Sequence, residues 1–133
     1  MQGNEYLFDA SSIVNLIKRG CLRVFEKGMT IELALYESLN AVWKEHTLLK
    51  RIDKEVALEY AYILSKVFEA IKVASIRGLE TEVYKIACKE SLTIYDASYL
   101  CFAAKNGLAL VTDDKKLEEK ASRYVKVLNS STL

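Results

Sequence analysis

Short apolar runs alternate along this chain with longer segments of helical periodicity, and this alternation limits the fold more than any other feature. The run "IKVASI" in particular is short and rich in β-branched residues, which is typical of a strand. We predict strands in "EYLFDA", "IKVASI" (71–76), "LALVT" and "YVKVL". Because these runs are mostly apolar throughout, both faces of the sheet should be covered, as in parallel sheets.

The segments between the predicted strands have helical patterns. They are "SSIVNLIKRG", "CLRVFEKG", about 32–50, 53–70, 79–90, 94–106 and "KKLEEKAS". Ser11 or Ser12 is the expected N-cap of the first helix, and Asp53 that of the helix 53–70. In the segment 32–50 the large apolar residues should form the buried face: Leu35, Tyr36, Leu39, Val42, Trp43, His46 and Leu49. Together these elements predict an α/β fold, a three-layer α/β/α sandwich around a mainly parallel sheet of four or five strands.

Composition excludes several classes of protein. With 133 residues, the chain is expected to form one domain, 1–133. No apolar run reaches the roughly 18 residues of a membrane span, and "MQGNEYLFDA" does not resemble a signal peptide, so we expect a cytoplasmic protein. A net charge of +1 requires any nucleic-acid surface to be local. Cys21, Cys88 and Cys101 lie in apolar helical patterns, which predicts buried thiols rather than disulfides or a zinc site.

Carboxylates stand where open α/β sheets bind ligands, just beyond the carboxyl ends of strands. Asp9 ends the first predicted strand, and Asp113 and Asp114 end "LALVT". Glu37, in the third predicted helix, and Asp96, in the first turn of helix 94–106, are further candidates. Taken singly, each acid has a structural explanation: a strand end, an exposed helical face or a helix cap.

Four segments, however, occur in order over the whole chain: "YLFDASSIVNLI", "LALYESLNAVWK", "IYDASYLCFAAKNG" and "LALVTDDKKL". Together they closely resemble the PIN-domain ribonucleases, in particular the small single-domain toxins of the VapC type. Any one segment is a weak signal, whereas four in register are fairly specific. The resemblance implies the PIN version of the α/β/α sandwich.

The resemblance also implies a set of acidic metal ligands. Those of the family match Asp9, Glu37, Asp96 and Asp114, with Asp113 as a further candidate. Ser12 and Thr112 fall where family members place hydroxyls near the metal, and Asn40 is expected to steady Glu37. A site of carboxylates without His or Cys suits Mg²⁺ or Mn²⁺. Such a cation relieves the repulsion between the carboxylates and activates a water for attack on a phosphodiester.

The function implied by the resemblance is endonucleolytic cleavage of RNA by a toxin, which a small antitoxin protein neutralises and which forms a homodimer. Basic residues expected around the site are Lys18, Arg19, Lys44, Lys115 and Lys116. Aromatic and basic residues do not interleave as they do on single-strand stacking platforms. Leu58 and Tyr62, opposite the main stripe of helix 53–70, are candidates for a partner surface.

Three alternatives remain open at this point. A catalytically silent PIN-like module for RNA binding or assembly would keep the fold without binding metal, although the complete acid set argues against it. A PIN nuclease of RNA processing without an antitoxin has the same sequence features as the toxin. A phospho-receiver domain needs a phosphorylatable aspartate on a middle strand, and "IKVASI" ends without one.

Overall fold

Five short parallel strands form the centre of the computed structural model, which describes residues 4–133. They are β1 (Tyr6–Phe8), β2 (Gly28–Ile31), β3 (Lys72–Ala74), β4 (Ala109–Val111) and β5 (Val127–Leu128). Their order in the sheet is β3-β2-β1-β4-β5, and each neighbouring pair is parallel. The predicted α/β class and the parallel sheet are confirmed.

Helices cover the sheet. The α-helices are α1 (Ala10–Lys18), α2 (Leu33–Trp43), α3 (Lys54–Ala70), α4 (Glu80–Glu90), α5 (Ile94–Asn106) and α6 (Lys115–Ala121). A π-helical turn, Lys44–Leu48, prolongs α2, and short 3-10 helices cover Arg23–Lys27 and Ser130–Thr132. Helices α1, α2 and α3 pack on one another, and α4 packs on α5, which gives the two outer layers of the sandwich.

Strand β2 is the strand that the sequence analysis missed, because "GMTI" was interpreted as the end of one helix and the approach to the next. The strand is four residues long and begins at Gly28. A Cβ atom at Gly28 would lie 2.5 Å from the Phe8 ring and 2.7 Å from the Tyr6 carbonyl oxygen. Glycine is therefore required by the close approach of β1.

The buried face of α2 also differs from the prediction. Its buried residues are Ala34, Ser38 and Val42, whereas Tyr36 is 71% and Trp43 49% exposed. Helix α2 packs against both α1 and α3, and close packing of helices favours small side chains at the contact. Of the predicted face, Val42 is buried as expected, whereas the exposed members are Tyr36, Leu39, Trp43 and Leu49.

Smaller corrections concern a cap and the thiols. The N-cap of α1 is Asp9, whose side chain accepts a hydrogen bond from the Ser12 amide. Asp53 caps α3 as predicted. Cys101 is buried, but Cys21 and Cys88 are exposed, because the first lies in the turn after α1 and the second on the outer side of α4.

Within residues 4–133, no helix combines the length and the apolar character needed to cross a membrane. The first three residues of the segment compared above with signal peptides, Met1–Gly3, lie outside the described residues.

Candidate active site

A cleft of about 770 Å³ opens at the carboxyl ends of the central strands. β1 and β4 are neighbours there. Strands β2 and β3 lie on one side of β1, and β4 and β5 lie on the other, so the strand order reverses between β1 and β4. Such a switch in strand order is where open α/β sheets bind ligands. Four of the predicted acids line this cleft: Asp9 after β1, Glu37 on α2, Asp96 on α5 and Asp114 after β4.

Asp9 is the most deeply placed of these acids, with 4% of its surface exposed. One carboxylate oxygen, Oδ1, accepts hydrogen bonds from the Ser12 amide at 2.9 Å and the Ser11 hydroxyl at 2.8 Å. The other, Oδ2, accepts one from the Thr112 hydroxyl. Burial raises the pKa of Asp9 to about 6, although these hydrogen bonds act in the opposite direction. The site therefore orients this carboxylate firmly while burial disfavours its negative charge.

Asp96 is surrounded by the negative charges of the other acids. Burial, together with the charges of Asp114 and Glu37, raises the pKa of Asp96 to about 6, although Lys116 acts in the opposite direction. Because carboxylates influence one another in this way only at short range, the acids from α2, α5 and the end of β4 share one electrostatic site.

Glu37 is held by a residue that the sequence analysis did not identify. The Tyr99 hydroxyl donates a hydrogen bond to Glu37 Oε1 at 2.8 Å, and Tyr99 is 1% exposed. Burial and the negative charge of Glu37 raise the Tyr99 pKa, so the phenol remains a donor. Asn40, the expected support, lines the cleft, but the hydrogen bond comes from α5. The signal was available, because Tyr99 lies three residues after Asp96 and so faces the same side of that helix.

The two adjacent aspartates have separate environments. Asp114 lines the cleft and caps α6, accepting a hydrogen bond from the Leu117 amide at 2.9 Å. Asp113 instead accepts hydrogen bonds from Asn15 at 2.7 Å and from the amide and hydroxyl of Ser130. Burial raises the Asp113 pKa, but these hydrogen bonds outweigh it and hold the pKa below its usual value. The Asp113 carboxylate is thus held by residues that do not line the cleft, and its role as a further metal ligand stays a prediction.

The hydroxyl groups are also distributed differently from the expectation. The Thr112 hydroxyl donates to Asp9, and its oxygen also accepts a hydrogen bond from the Asp114 amide at 3.0 Å. The Ser12 hydroxyl donates to the carbonyl oxygens of Asp9 and Val111, and so ties the ends of β1 and β4 together. Ser11, which was expected from the sequence only as a possible helix cap, supplies the hydroxyl that reaches the Asp9 carboxylate.

Two of the five expected basic residues are used elsewhere. Lys18 forms an ion pair with Glu45, and Arg19 donates to the Ser130 hydroxyl at 2.6 Å. Lys44 lines the cleft, and Lys116 is close enough to lower the Asp96 pKa. Lys115 is exposed at the start of α6. The positive charge at the cleft thus comes from α2 and α6.

The donor set fits a hard divalent cation. It consists of carboxylates and hydroxyls without His or Cys, which is the preference of Mg²⁺ and Mn²⁺. In the described part of the chain, no group of three or more Asp, Glu, His or Cys side chains has the geometry of a metal site. Burial disfavours the ionised forms of Asp9 and Asp96, and the charges of Asp114 and Glu37 add repulsion at Asp96. A cation between them would relieve both effects.

Comparison with known proteins identifies similar chains. Residues 6–122 match the family model described as PIN domain. "Exonuclease VapC9" of Pyrobaculum aerophilum is 38% identical over 125 residues, which cover 92% of this chain and 90% of that protein. "Ribonuclease VapC3" of the same organism is 35% identical over 91 residues, 68% of this chain and 69% of the relative. The crystal structure of PAE2754 from Pyrobaculum aerophilum superposes with a TM-score of 0.79 at 36% identity, covering 97% of this chain and 92% of that one.

Proposed function

Because this chain belongs to the PIN-domain family, and within it to the VapC group, we propose that it is a metal-dependent endoribonuclease that cleaves RNA in the acidic cleft. The observation that carries the proposal is the convergence of four carboxylates, from four elements of the fold, at the ends of β1 and β4. The relatives named ribonuclease and exonuclease support phosphodiester cleavage. We further propose that residues 1–133 form one PIN-like domain, which the match over 6–122 supports.

We assign the metal ligands to Asp9, Asp96 and Asp114, with Glu37 beside them. A bound Mg²⁺ or Mn²⁺ supplies positive charge that activates a water and stabilises the leaving oxygen. Hydrogen bonds from Ser11, Ser12 and Thr112 hold the Asp9 carboxylate in one orientation before any metal binds. The hydrogen bond from Tyr99 orients Glu37 in the same way. Such outer hydrogen bonds orient ligands and tune their affinity.

The test is cleavage of a mixed panel of single-stranded RNAs with Mg²⁺, with Mn²⁺ or with EDTA. The wild type should cleave only with metal, and Asp9→Asn and Asp96→Asn should each lose the activity. Glu59→Gln, exposed on the outer side of α3, is the matched control and should cleave normally. Internal fragments indicate an endonuclease, whereas stepwise shortening indicates an exonuclease.

Two results would contradict the proposal. Cleavage that persists in EDTA or in both aspartate variants would place the activity elsewhere. A folded wild type that neither cleaves nor binds Mn²⁺ by calorimetry would leave the alternative, a catalytically silent module for RNA binding or assembly.

We propose that a small antitoxin protein binds beside the cleft and restrains the toxin in the cytoplasm, as the resemblance to VapC toxins implies. Support comes from α2, where Leu39 and Trp43 are 39% and 49% exposed next to cleft-lining Asn40 and Lys44. Trp43→Glu should weaken binding of a small protein encoded by a neighbouring gene, whereas Tyr84→Glu, on the exposed side of α4, should not. Absence of any such complex would favour a nuclease of RNA processing.

A homodimer is the second assembly that we propose from the family. Leu58 and Tyr62 are 60% and 63% exposed on α3, and Tyr62 borders an apolar groove of about 330 Å³ between α3 and the 3-10 helix Arg23–Lys27. Light scattering should give twice the chain mass of 15.1 kDa. Tyr62→Glu should reduce it to one chain, with Tyr84→Glu as the control. A monomeric wild type would refute the dimer.

A further inference from the structure

Two exposed tyrosines border the acidic cleft. Tyr36 precedes Glu37 on α2 and is 71% exposed, and Tyr95 precedes Asp96 on α5 and is 57% exposed. Both side chains line the same cleft as the acids. Isolated exposed tyrosines are ordinary. These two, however, lie on different helices, 59 positions apart in the chain, and both line one concave surface. Their rings are therefore available to whatever enters the cleft.

The charges in the cleft indicate what kind of molecule the rings meet. The acids make it unsuitable for an anion unless a cation lies among them, and the positive charge of Lys44 and Lys116 stands at its edge. This arrangement suits a chain of phosphates, one of which reaches the metal while its neighbours meet the lysines. In such a chain the bases are attached close to the phosphates, so bases next to the cleft can reach the exposed rings of Tyr36 and Tyr95.

Base pairing decides which nucleic acids can use those rings. In a duplex the base faces are stacked inside the helix, and a protein meets only edges, sugars and phosphates. In a single strand the faces are free, and aromatic side chains bind them with little dependence on sequence. Rings from two helices that line one cleft can stack on separate bases of the same strand.

We propose that Tyr36 and Tyr95 are base-stacking residues that make the cleft selective for unpaired RNA. The inference rests on the proposed nuclease function, because that function places the scissile phosphate among the four acids. It adds the residues that choose the substrate and the conformation of the RNA that they accept.

The experiment compares Tyr36→Ala and Tyr95→Ala with Tyr36→Phe and Tyr95→Phe. Tyr84→Ala is the control, because Tyr84 is 64% exposed on α4 and does not line the cleft. Three quantities are measured: KM and kcat for a single-stranded RNA with metal, and, by fluorescence anisotropy, the Kd of the same RNA and of a blunt-ended paired stem that has no unpaired nucleotides. The Kd is measured in the cleavage-disabled Asp96→Asn background, so it does not depend on catalysis.

Each Ala variant should raise KM and Kd for the single strand about 5- to 100-fold, the range expected for one stacked base, with a much smaller change in kcat. The Phe variants keep the ring and should stay near wild type, and the control should be unchanged. The Kd of the paired stem should not respond, so the preference for unpaired RNA should shrink in the Ala variants.

The two proposals can fail separately. If the wild type cleaves RNA but both Ala variants keep wild-type KM and Kd, the stacking proposal is overturned and the nuclease stands, and the rings then face a protein partner instead. If the wild type cleaves nothing while the Ala variants lose affinity for single strands, the cleft binds unpaired RNA by stacking without cutting it. Equal loss in the Phe and Ala variants would also refute stacking, since the ring is present in one and absent in the other.

Discussion

At the scale of single residues, the doubled aspartate shows how neighbours in a chain acquire different roles. The Asp113 carboxylate accepts hydrogen bonds from Asn15 and Ser130, which lie on α1 and in the C-terminal 3-10 helix. Asp114, one position later, starts α6 and faces the cleft. A turn at the end of a buried strand points successive side chains in different directions, so Asp114 lines the cleft and Asp113 does not.

Substitution should separate the two roles. Asp114→Asn keeps an N-cap of similar quality and should lower kcat/KM about 100-fold or more, because it removes a charged ligand. Asp113→Ala should instead lower the free energy of unfolding by about 1–3 kcal/mol, since it leaves buried donors unpaired, with most of the cleavage rate retained. Chemical denaturation and steady-state kinetics on both variants check this. A stable but inactive Asp113→Ala would contradict it.

Tyr99 is the second residue whose role depends on one contact. Tyr99→Phe removes the hydroxyl that positions Glu37 and should weaken Mn²⁺ binding about 10-fold, as loss of an outer hydrogen bond does in metal sites. The free energy of unfolding should change by only about 1 kcal/mol. Calorimetry with Mn²⁺ measures the affinity, and Tyr84→Phe on the surface of α4 is the control. Unchanged affinity would mean that Tyr99 only fills space.

At the scale of elements, one carboxylate joins the end of α4 to the segment after α6. Glu90 is 5% exposed and accepts hydrogen bonds from Tyr124 and, at 2.6 Å, from Arg123. The Lys120 ammonium donates to its carbonyl oxygen at 2.8 Å. Two helices that are not adjacent in the chain are thus fastened through one residue, outside the cleft.

This contact predicts a pH dependence. The hydrogen bond from Tyr124 and the charge of Arg123 hold the Glu90 pKa below its usual value of 4.5. A carboxyl whose pKa is lowered by folding contributes stability above its unfolded pKa and loses it as the pH falls through the folded pKa. Unfolding by urea at pH 7 and below pH 4 should show this loss, and Glu90→Gln should reduce it. An identical acid dependence in wild type and variant would contradict the assignment.

Gly28 also acts at this scale, because it lets β1 and β2 approach within the distance that the sheet requires. It was interpreted from the sequence as the end of a helix, and both interpretations use the absence of a side chain. Only the neighbouring strand distinguishes them, since local sequence does not reveal what lies 2.5 Å from the missing Cβ.

At the scale of the whole molecule, the site couples a ligand to folding. Its acids come from the ends of β1 and β4 and from α2 and α5, so the unfolded chain does not hold them together. A cation that binds only the folded protein stabilises it by about 2.7 kcal/mol at a concentration 100 times its Kd.

Mn²⁺ should therefore raise the Tm of the wild type, and EDTA should reverse the rise. Asp9→Asn should show little or no response, whereas Glu59→Gln should respond as the wild type does. Differential scanning calorimetry measures this without any RNA. A Tm that does not depend on Mn²⁺ up to millimolar concentrations would contradict the metal site independently of the cleavage assay.

The class of fold, most helix boundaries and the candidate acids could be predicted from the local sequence. Periodicity and capping are local properties, so α3 after Asp53 and α5 after Thr93 were predictable. The acids could be named because four ordered segments resemble one family, even though each acid alone is ambiguous.

Which side chains contact one another depends on the tertiary structure. That Tyr99 supports Glu37, that Asp113 turns to Ser130, and that the large residues of α2 face outward all depend on packing between distant segments. The pairing of Tyr36 with Tyr95 at one cleft is of the same kind. These contacts arise only when helices pack on the sheet, because the periodicity of a helix defines its faces but not the neighbour that each face will touch.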